Sequence, residues 1–370
     1  MNFFENLSIG VPIAVFIFLF IILIFASISL AYLIEAFQKK TNLGGGFASG
    51  IILSGITSLP ELCIGLTMFF TGHPENAVGD LTGGIFLDSV ILAVMFLAVI
   101  KMIQQHNCSR VHLLTYGSLS VMLLMYMIAT LVGQEFSVFT VSFISVAGVI
   151  IYGLNAWYCA KHKFYYTPSE QYFIDTNTKS HVNNNFFQKF LGHFHNVKKV
   201  RYLVLELVGF ALVILICSFF ISFAAETIID DTVGGSASTT FIASIILSVV
   251  TSSTEIISMV ILLKLKDINN ALSDIGGAAL FNTLILSLLE IMYIGDPVYA
   301  DSKSRLLMIF SFAGVFVVFL CLLIWRFGKI KSEKRLRIVI GVFLALCILI
   351  YIAYVTVGFL QTTGQITVLD

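Results

Sequence analysis

Charge is scarce in this chain of 370 residues: Asp, Glu, Lys and Arg make up 11% of it, against 58% hydrophobic residues and a mean hydropathy of +0.98. So little charge cannot cover a water-facing surface, which excludes an ordinary soluble protein and leaves the bilayer as the solvent. Cysteine is also sparse. The six residues (Cys63, Cys108, Cys159, Cys217, Cys321, Cys347) show no CxxC spacing and read as small apolar packing residues.

Long apolar runs are abundant. Ten can be delimited, roughly 11–36, 44–70, 77–102, 112–132, 137–160, 203–227, 235–263, 268–292, 305–327 and 335–359. Each is near the ~20 residues that cross a ~30 Å hydrocarbon core. Backbone N–H and C=O groups in lipid have to be satisfied within the segment, so each run is predicted to be a helix. The first run follows Glu5 instead of a basic segment, and no small-residue cleavage pattern comes after it. It is expected to be retained as a helix, not removed as a signal peptide.

The charges that remain are unevenly spread. With the N-terminus outside, 19 of the 21 basic residues fall in inside breaks. The outside breaks then hold Lys303 and Arg305 together with Glu75, Glu135, Asp230, Asp231, Asp296 and Asp301. The positive-inside rule predicts ten spans with both termini outside, in a cell membrane taken to be the plasma membrane.

The longest polar stretch, 161–202, divides the chain into 1–160 and 203–370, with five runs on either side. It carries His162, His181, His193 and His195. A solvated cytoplasmic connecting loop is the plain reading, and a metal site at His193-x-His195 the sharper alternative. The two halves are related. A gapless shift of 194 residues lays IILSGITSLPE (51–61) on IILSVVTSSTE (245–255), and GDLTGGIFLD (79–88) on SDIGGAALFN (273–282). The shift matches Thr57 with Thr251, Ser58 with Ser252, Glu61 with Glu255 and Asp80 with Asp274, and sets Asp88 over Asn282. Between the blocks, TGHPENA has no Lys or Arg whereas KLKDINN has two lysines, so the copies face opposite sides. The expected fold is an all-α membrane protein of ten transmembrane helices built as two inverted five-helix repeats, an architecture of secondary transporters.

Within the repeats, Thr57 and Glu61 are one turn apart, as are Thr251 and Glu255, so each pair shares a helix face. Glu61 and Glu255 lie mid-span, where an ionised carboxylate costs ~2.5–3.5 kcal/mol on insertion scales. Five acids (Glu61, Asp80, Asp88, Glu255, Asp274) have no basic residue near them within a span, so positive charge has to arrive from elsewhere. Asp80 and Asp274, close to the starts of their helices, have capping or lining a vestibule as an alternative role. An all-oxygen set without His or Cys suits Ca²⁺, which accepts six to eight oxygens, better than Mg²⁺, which sheds water reluctantly. Pro60 removes an N–H and is expected to free a carbonyl near Ile56. Gly83, Gly84, Gly276 and Gly277 are expected to let the two site helices approach closely.

TSLPE followed by GDLTGGIFLD, repeated as TSSTE and SDIGGAALFN, resembles the paired alpha-repeats of the cation/calcium exchanger superfamily, the group of the sodium/calcium exchangers. The likeness covers about 40 residues in each half, and both copies separate Glu from the last Asp or Asn by 27 positions (61 to 88, 255 to 282). The resemblance implies that Glu61 and Glu255 are the central Ca²⁺ ligands, with main-chain or hydroxyl oxygens of Thr57 and Thr251 completing the shell. It implies that Ser58 and Ser252 serve transported monovalent ions, that Asp88 and Asn282 add polar ligands, and that helices 1 and 6 form a sliding gate. The departures are Gly84 and Ala278 in place of serines, Asp80 and Asp274 in place of asparagines, and Thr254 in place of the second proline.

These features lead to the expectation of a secondary antiporter, not an enzyme, that exchanges Ca²⁺ for Na⁺ or H⁺ at a midplane carboxylate site. A proton-coupled exchanger for Mn²⁺ or Mg²⁺ is the nearest alternative; a passive cation channel and an intramembrane hydrolase built on Gly79-Asp80 are remoter ones. The expected partners are metal cations and the lipid bilayer, with no nucleic acid, no cofactor, and a monomer or an oligomer of unspecified size.

Overall fold

A computed structural model describes residues 9–41, 43–72, 74–100, 108–132, 137–138, 141–162, 199–233, 248–265, 267–293, 305–327 and 333–362. The first half begins with α1 (Gly10–Thr41). A broken segment follows: α2 (Gly45–Phe47), a π-helical turn at Ala48–Leu53, α3 (Ser54–Thr57) and α4 (Leu59–Thr71). Then come α5 (Pro74–Ala98), α6 (Arg110–Val132) and α7 (Phe143–Lys161), with β1 (Ser137–Val138) and β2 (Val141–Ser142) forming a minimal antiparallel pair before α7. The second half contains α8 (Val200–Val233), the short α9 (Ser248–Thr251), α10 (Ser253–Lys264), α11 (Ile268–Met292), α12 (Arg305–Phe327) and α13 (Glu333–Thr362).

Among the described residues eight helices are each long and apolar enough to cross a bilayer, and the bent segment through Thr57 and Leu59 makes a ninth span. The tenth expected run, 235–263, is represented by α9 and α10; its first part, up to 247, lies outside the described residues. Most of the 161–202 loop, including His193-x-His195, lies outside them too. Helix α7 runs to Lys161, one residue past the boundary drawn from hydropathy, and α8 starts at Val200, three residues before its own. The 137–160 run shortens to Phe143–Lys161, because β1 and β2 occupy its start and the Ser142 hydroxyl accepts from the Ile144 N–H to begin the helix.

Burial sorts the spans into a centre and a shell. In α5 and α11, 72% of the most apolar window is buried inside the protein, compared with 28% or less in α1, α7, α8 and α13, whose outer faces are left for lipid. These central helices carry the second block of each repeat. The long helices α1 and α8, first in each half, pack along one another beside the broken segments. All six cysteines are free thiols, and all but Cys63 are buried.

Glycine contacts are more specialised than the sequence suggests. A Cβ on Gly84 would sit 3.4 Å from Asn282 Nδ2, so Gly84 does lie between the two central helices. Gly277 instead meets the backbone of Gly50, in the π-helical turn, and Gly276 meets the ring of Tyr116 on α6. The small-residue face of α11 therefore seats the broken segment and α6, not α5 alone. Membrane helices gain close van der Waals packing in this way.

Candidate functional site

The site is built from two breaks. In the first half, Ser58 adopts φ −88° and ψ 13°, between α3 and α4, and the chain bends by 43° there. In the second half, Ser252 adopts φ −69° and ψ −1° between α9 and α10. Pro60 sits at the opening of α4, where its missing N–H is not needed and its fixed φ suits a helix start. The second break forms without any proline, so proline is not what creates the interruption. The consequence for the acids is direct: Glu61 lies in the first turn of α4 and Glu255 in the first turn of α10. Helix N-termini carry partial positive charge, a stabilisation of about 0.3–1 kcal/mol for an anion at an exposed site and more where water is excluded.

All five acids are fully buried, with Glu61, Asp80, Asp88, Glu255 and Asp274 each at 0% exposure. Thr57, Thr251, Ser58, Ser252 and Asn282 are buried with them. Glu61 has Glu255 and Asp80 as charged neighbours, and Asp88 has Glu61, Glu255 and Asp274. No Lys or Arg among the described residues takes part in this group, so the carboxylates face one another without an internal counter-charge.

Hydroxyls bridge the repeats. Ser58 Oγ donates to Glu255 Oε1 at 2.7 Å, and Thr254 Oγ1 donates to the Thr57 carbonyl at 2.7 Å. Ser248 Oγ donates to the Asp80 carbonyl at 2.9 Å, and Thr251 Oγ1 approaches Asp80 Oδ1 at 3.4 Å while also donating to the Ser248 carbonyl. Within the second half, Ser258 Oγ donates to Asp274 Oδ2. The Thr57 hydroxyl turns back to the Leu53 and Ser54 carbonyls. Asp80 and Asp274 are thus held inside the bundle, and neither caps a helix end.

Several oxygens stay unsatisfied. Both carboxylate oxygens of Glu61 and both of Asp88 are buried with no hydrogen-bond partner among the described residues, as are one oxygen each of Glu255, Asp80 and Asp274 and the side-chain amide of Asn282. Thr251 lies beside Glu61 and Ser252 beside Asp88, but neither hydroxyl closes a bond of good geometry. A buried polar group without a partner is costly, and a hard cation is the partner that suits so many anionic oxygens. No three His, Cys, Asp or Glu side chains among the described residues converge closely enough to hold an ion alone. A bound cation would draw on hydroxyl and carbonyl oxygens as well as carboxylates.

The ten residues singled out from sequence fall into one buried region around the two breaks. The structure adds Ser248, Thr254 and Ser258, and with Ser248 its repeat partner Ser54, whose hydroxyl is buried and has no partner among the described residues. Ser54 and Ser248 were visible in the sequence as a shared serine one turn before the threonine. Thr254 was visible as the replacement for Pro60. Ser258 had no signal, because the same shift places it over Ile64.

Solved structures share this fold. The sodium-calcium exchanger NCX_Mj, soaked with 2.5 mM Na⁺ and 0.1 mM Sr²⁺, is 13% identical and superposes with a TM-score of 0.58 over 94% of this chain and 99% of its own. The H⁺/Ca²⁺ exchanger CAX is 11% identical, with a TM-score of 0.57 over 95% of this chain and 91% of its own. At such identities the likeness speaks for the fold. No curated protein sequence matches the chain. The family model described as "Sodium/calcium exchanger protein" matches residues 11–160 and 202–359, one block for each half. With both halves matched by the family model and the helical fold shared with these structures, the chain is an integral membrane protein that belongs to the sodium/calcium exchanger family, a family of cation transporters.

Proposed function

We propose that the protein is a secondary active antiporter that carries Ca²⁺ across the membrane against Na⁺ or H⁺. The observation that carries this reading is the pairing of Glu61 and Glu255, each opening a half-helix from an opposite repeat, in a buried group whose free oxygens are all anionic or neutral acceptors. Several carboxylates in one dry place repel one another, and a divalent cation or two monovalent ones relieve that repulsion. Ca²⁺ and the coupling ion then compete for the same oxygens, and a site left without either is costly to carry between the two faces. Competition of this kind gives exchange.

In this reading Glu61 and Glu255 are the central ligands, assisted by the oxygens of Thr57 and Thr251, while Ser58, Ser252, Asp88 and Asn282 serve the coupling ion. Asp80 and Asp274 hold flanking carboxylates. The functional units are two five-helix repeats, 1–160 and 203–370, joined by a cytoplasmic loop at 161–202, in the plasma membrane with both termini outside. Helices α1 and α8 are the elements that slide to open the site to one side and then the other.

Proton coupling is the second reading, and particular residues favour it. Gly84 and Ala278 offer no hydroxyl for a sodium ion, and Asp80 and Asp274 supply two carboxylates that can exchange protons. Two solved structures with this fold are described as a sodium-calcium and an H⁺/Ca²⁺ exchanger, so the fold accommodates either ion.

The deciding experiment is ⁴⁵Ca²⁺ uptake into proteoliposomes, driven separately by a Na⁺ gradient and by a pH gradient. Uptake that needs one of these gradients and disappears in Glu61→Gln and Glu255→Gln is expected. Uptake that proceeds without any counter-ion gradient would make the protein a channel. Mn²⁺ and Mg²⁺ in competition with ⁴⁵Ca²⁺ rank the divalent cations.

A further inference from the structure

Asn270, in the first turn of α11, is buried at 1% exposure, and its side-chain amide is clamped. Its Nδ2 donates to Gln38 Oε1, on the last stretch of α1, at 2.6 Å and to Asp267 Oδ2 at 2.6 Å. Asp267 in turn caps α11, its Oδ1 accepting from the Asn270 N–H at 3.1 Å. The clamp stands one turn before Asp274, between that end of α11 and the buried carboxylates. Opening that end of α11 would separate Gln38 from Asn270 and break a hydrogen bond between two buried side chains.

The same residue occurs in the other half. The shift of 194 sets Asn76 under Asn270, Ala77 under Ala271 and Asp80 under Asp274. Asn76 lies in the first turn of α5 and is buried; its side-chain oxygen, like that of Asn270, has no partner among the described residues, so the two differ in the bonds of the Asn270 Nδ2 alone. Because the repeats are inverted, α5 and α11 cross in opposite senses, and the two asparagines lie towards opposite faces of the membrane.

We infer that Asn270 with Gln38 forms a gate at one mouth of the transport path, and that Asn76 is the corresponding gate residue at the other. This rests on the alternating-access reading above. In that scheme the asparagines are engaged in turn, and here the Asn270 Nδ2 is bonded to Gln38 across to α1.

The test uses the purified full chain without Ca²⁺ and follows hydrogen–deuterium exchange at both mouths. Asn270→Ala is expected to speed exchange in the first turn of α11 and the end of α1 by tenfold or more, with the first turn of α5 unchanged. Gln38→Ala removes the same bond from outside α11 and should reproduce the pattern, which guards against a folding defect in the first variant. In proteoliposomes of one orientation, Asn270→Ala should lower the half-saturating Ca²⁺ at the Asn270 mouth and raise it at the Asn76 mouth, with Asn76→Ala doing the reverse. A merely structural amide would not produce that opposed split. The gate is overturned if both variants leave exchange as in the parent, or speed it equally at the two mouths. Failure of the parent protein to move Ca²⁺ would sink the antiporter reading, yet the exchange pattern would still decide the gate.

Discussion

Ser58 reaches across the repeat boundary to Glu255, its Oγ donating to Oε1 at 2.7 Å, while the pseudo-equivalent pair, Ser252 and Glu61, makes no such bond. The two halves therefore present unlike glutamates: one has an oxygen already engaged, and the other has both oxygens free for a ligand. A site assembled from two copies of one motif has become directional.

This asymmetry predicts unequal serine variants. A hydrogen bond to a charged group contributes about 1.5–3 kcal/mol, and each 1.4 kcal/mol is tenfold in affinity. Ser58→Ala should raise the half-saturating Ca²⁺ by roughly ten- to hundredfold, since Glu255 loses its orienting donor. Ser252→Ala should leave Ca²⁺ half-saturation near that of the parent and change the dependence on the coupling ion. Initial rates of ⁴⁵Ca²⁺ uptake over a Ca²⁺ series check both, and equal effects would remove the directional site.

The clustered carboxylates also set the sign of the pH response. Each carboxylate oxygen pair holds either a proton or a share of the cation, so protons and Ca²⁺ compete. Lowering the pH on the side where Ca²⁺ binds is expected to raise the half-saturating Ca²⁺, and raising the pH to lower it. Replacing Asp80 and Asp274 together by asparagine should flatten that dependence. A half-saturation that ignores pH across the neutral range in the parent protein would count against competition at the site.

Hydroxyls missing from the site can be restored. A Cβ at Gly84 would lie 3.4 Å from Asn282 Nδ2 and 3.5 Å from Ser252 Oγ, ordinary contact distances that leave room for a small side chain. Gly84→Ser combined with Ala278→Ser is expected to increase the Na⁺ dependence of Ca²⁺ uptake, read as uptake against internal Na⁺ concentration. An unchanged Na⁺ response would mean that these two positions do not govern ion coupling.

Gly277 is predicted to be intolerant for a different reason. Any Cβ there runs into the Gly50 backbone, which cannot swing aside as a side chain can. Overpacking of this kind costs about 1–3 kcal/mol. Gly277→Ala should lower the thermal unfolding midpoint of the detergent-purified protein, whereas Gly84→Ala should stay close to the parent. The opposite ranking would contradict the packing of the π-helical turn on α11.

Much of this was legible in the sequence because the bilayer imposes so few solutions. Apolar run length located the spans, with 305–327 recovered to the residue, and the shift of 194 exposed the repeats and the acids they carry. The interruptions were harder to see. Pro60 drew attention to one, but Ser252 breaks its helix with no proline nearby, since that break depends on how the second repeat packs on the first. The π-helical turn at Ala48–Leu53 leaves no mark in an apolar sequence; it is fixed by the approach of Gly50 to Gly277. The bonds from Thr254 to the Thr57 carbonyl and from Ser258 to Asp274 join positions whose repeat partners, Pro60 and Ile64, cannot make them. Symmetry located the site, and tertiary contact supplied its departures from symmetry.

The 43° bend at Ser58 divides the first repeat's candidate ligands between two rigid pieces. Thr57 belongs to the piece before the joint and Glu61 to the piece after it, so opening or closing the joint by a few degrees changes how far apart their oxygens lie. An ion that prefers one spacing does mechanical work on the joint as it binds, and an ion of another radius does a different amount. Ion size would thus be converted into helix angle at a single serine.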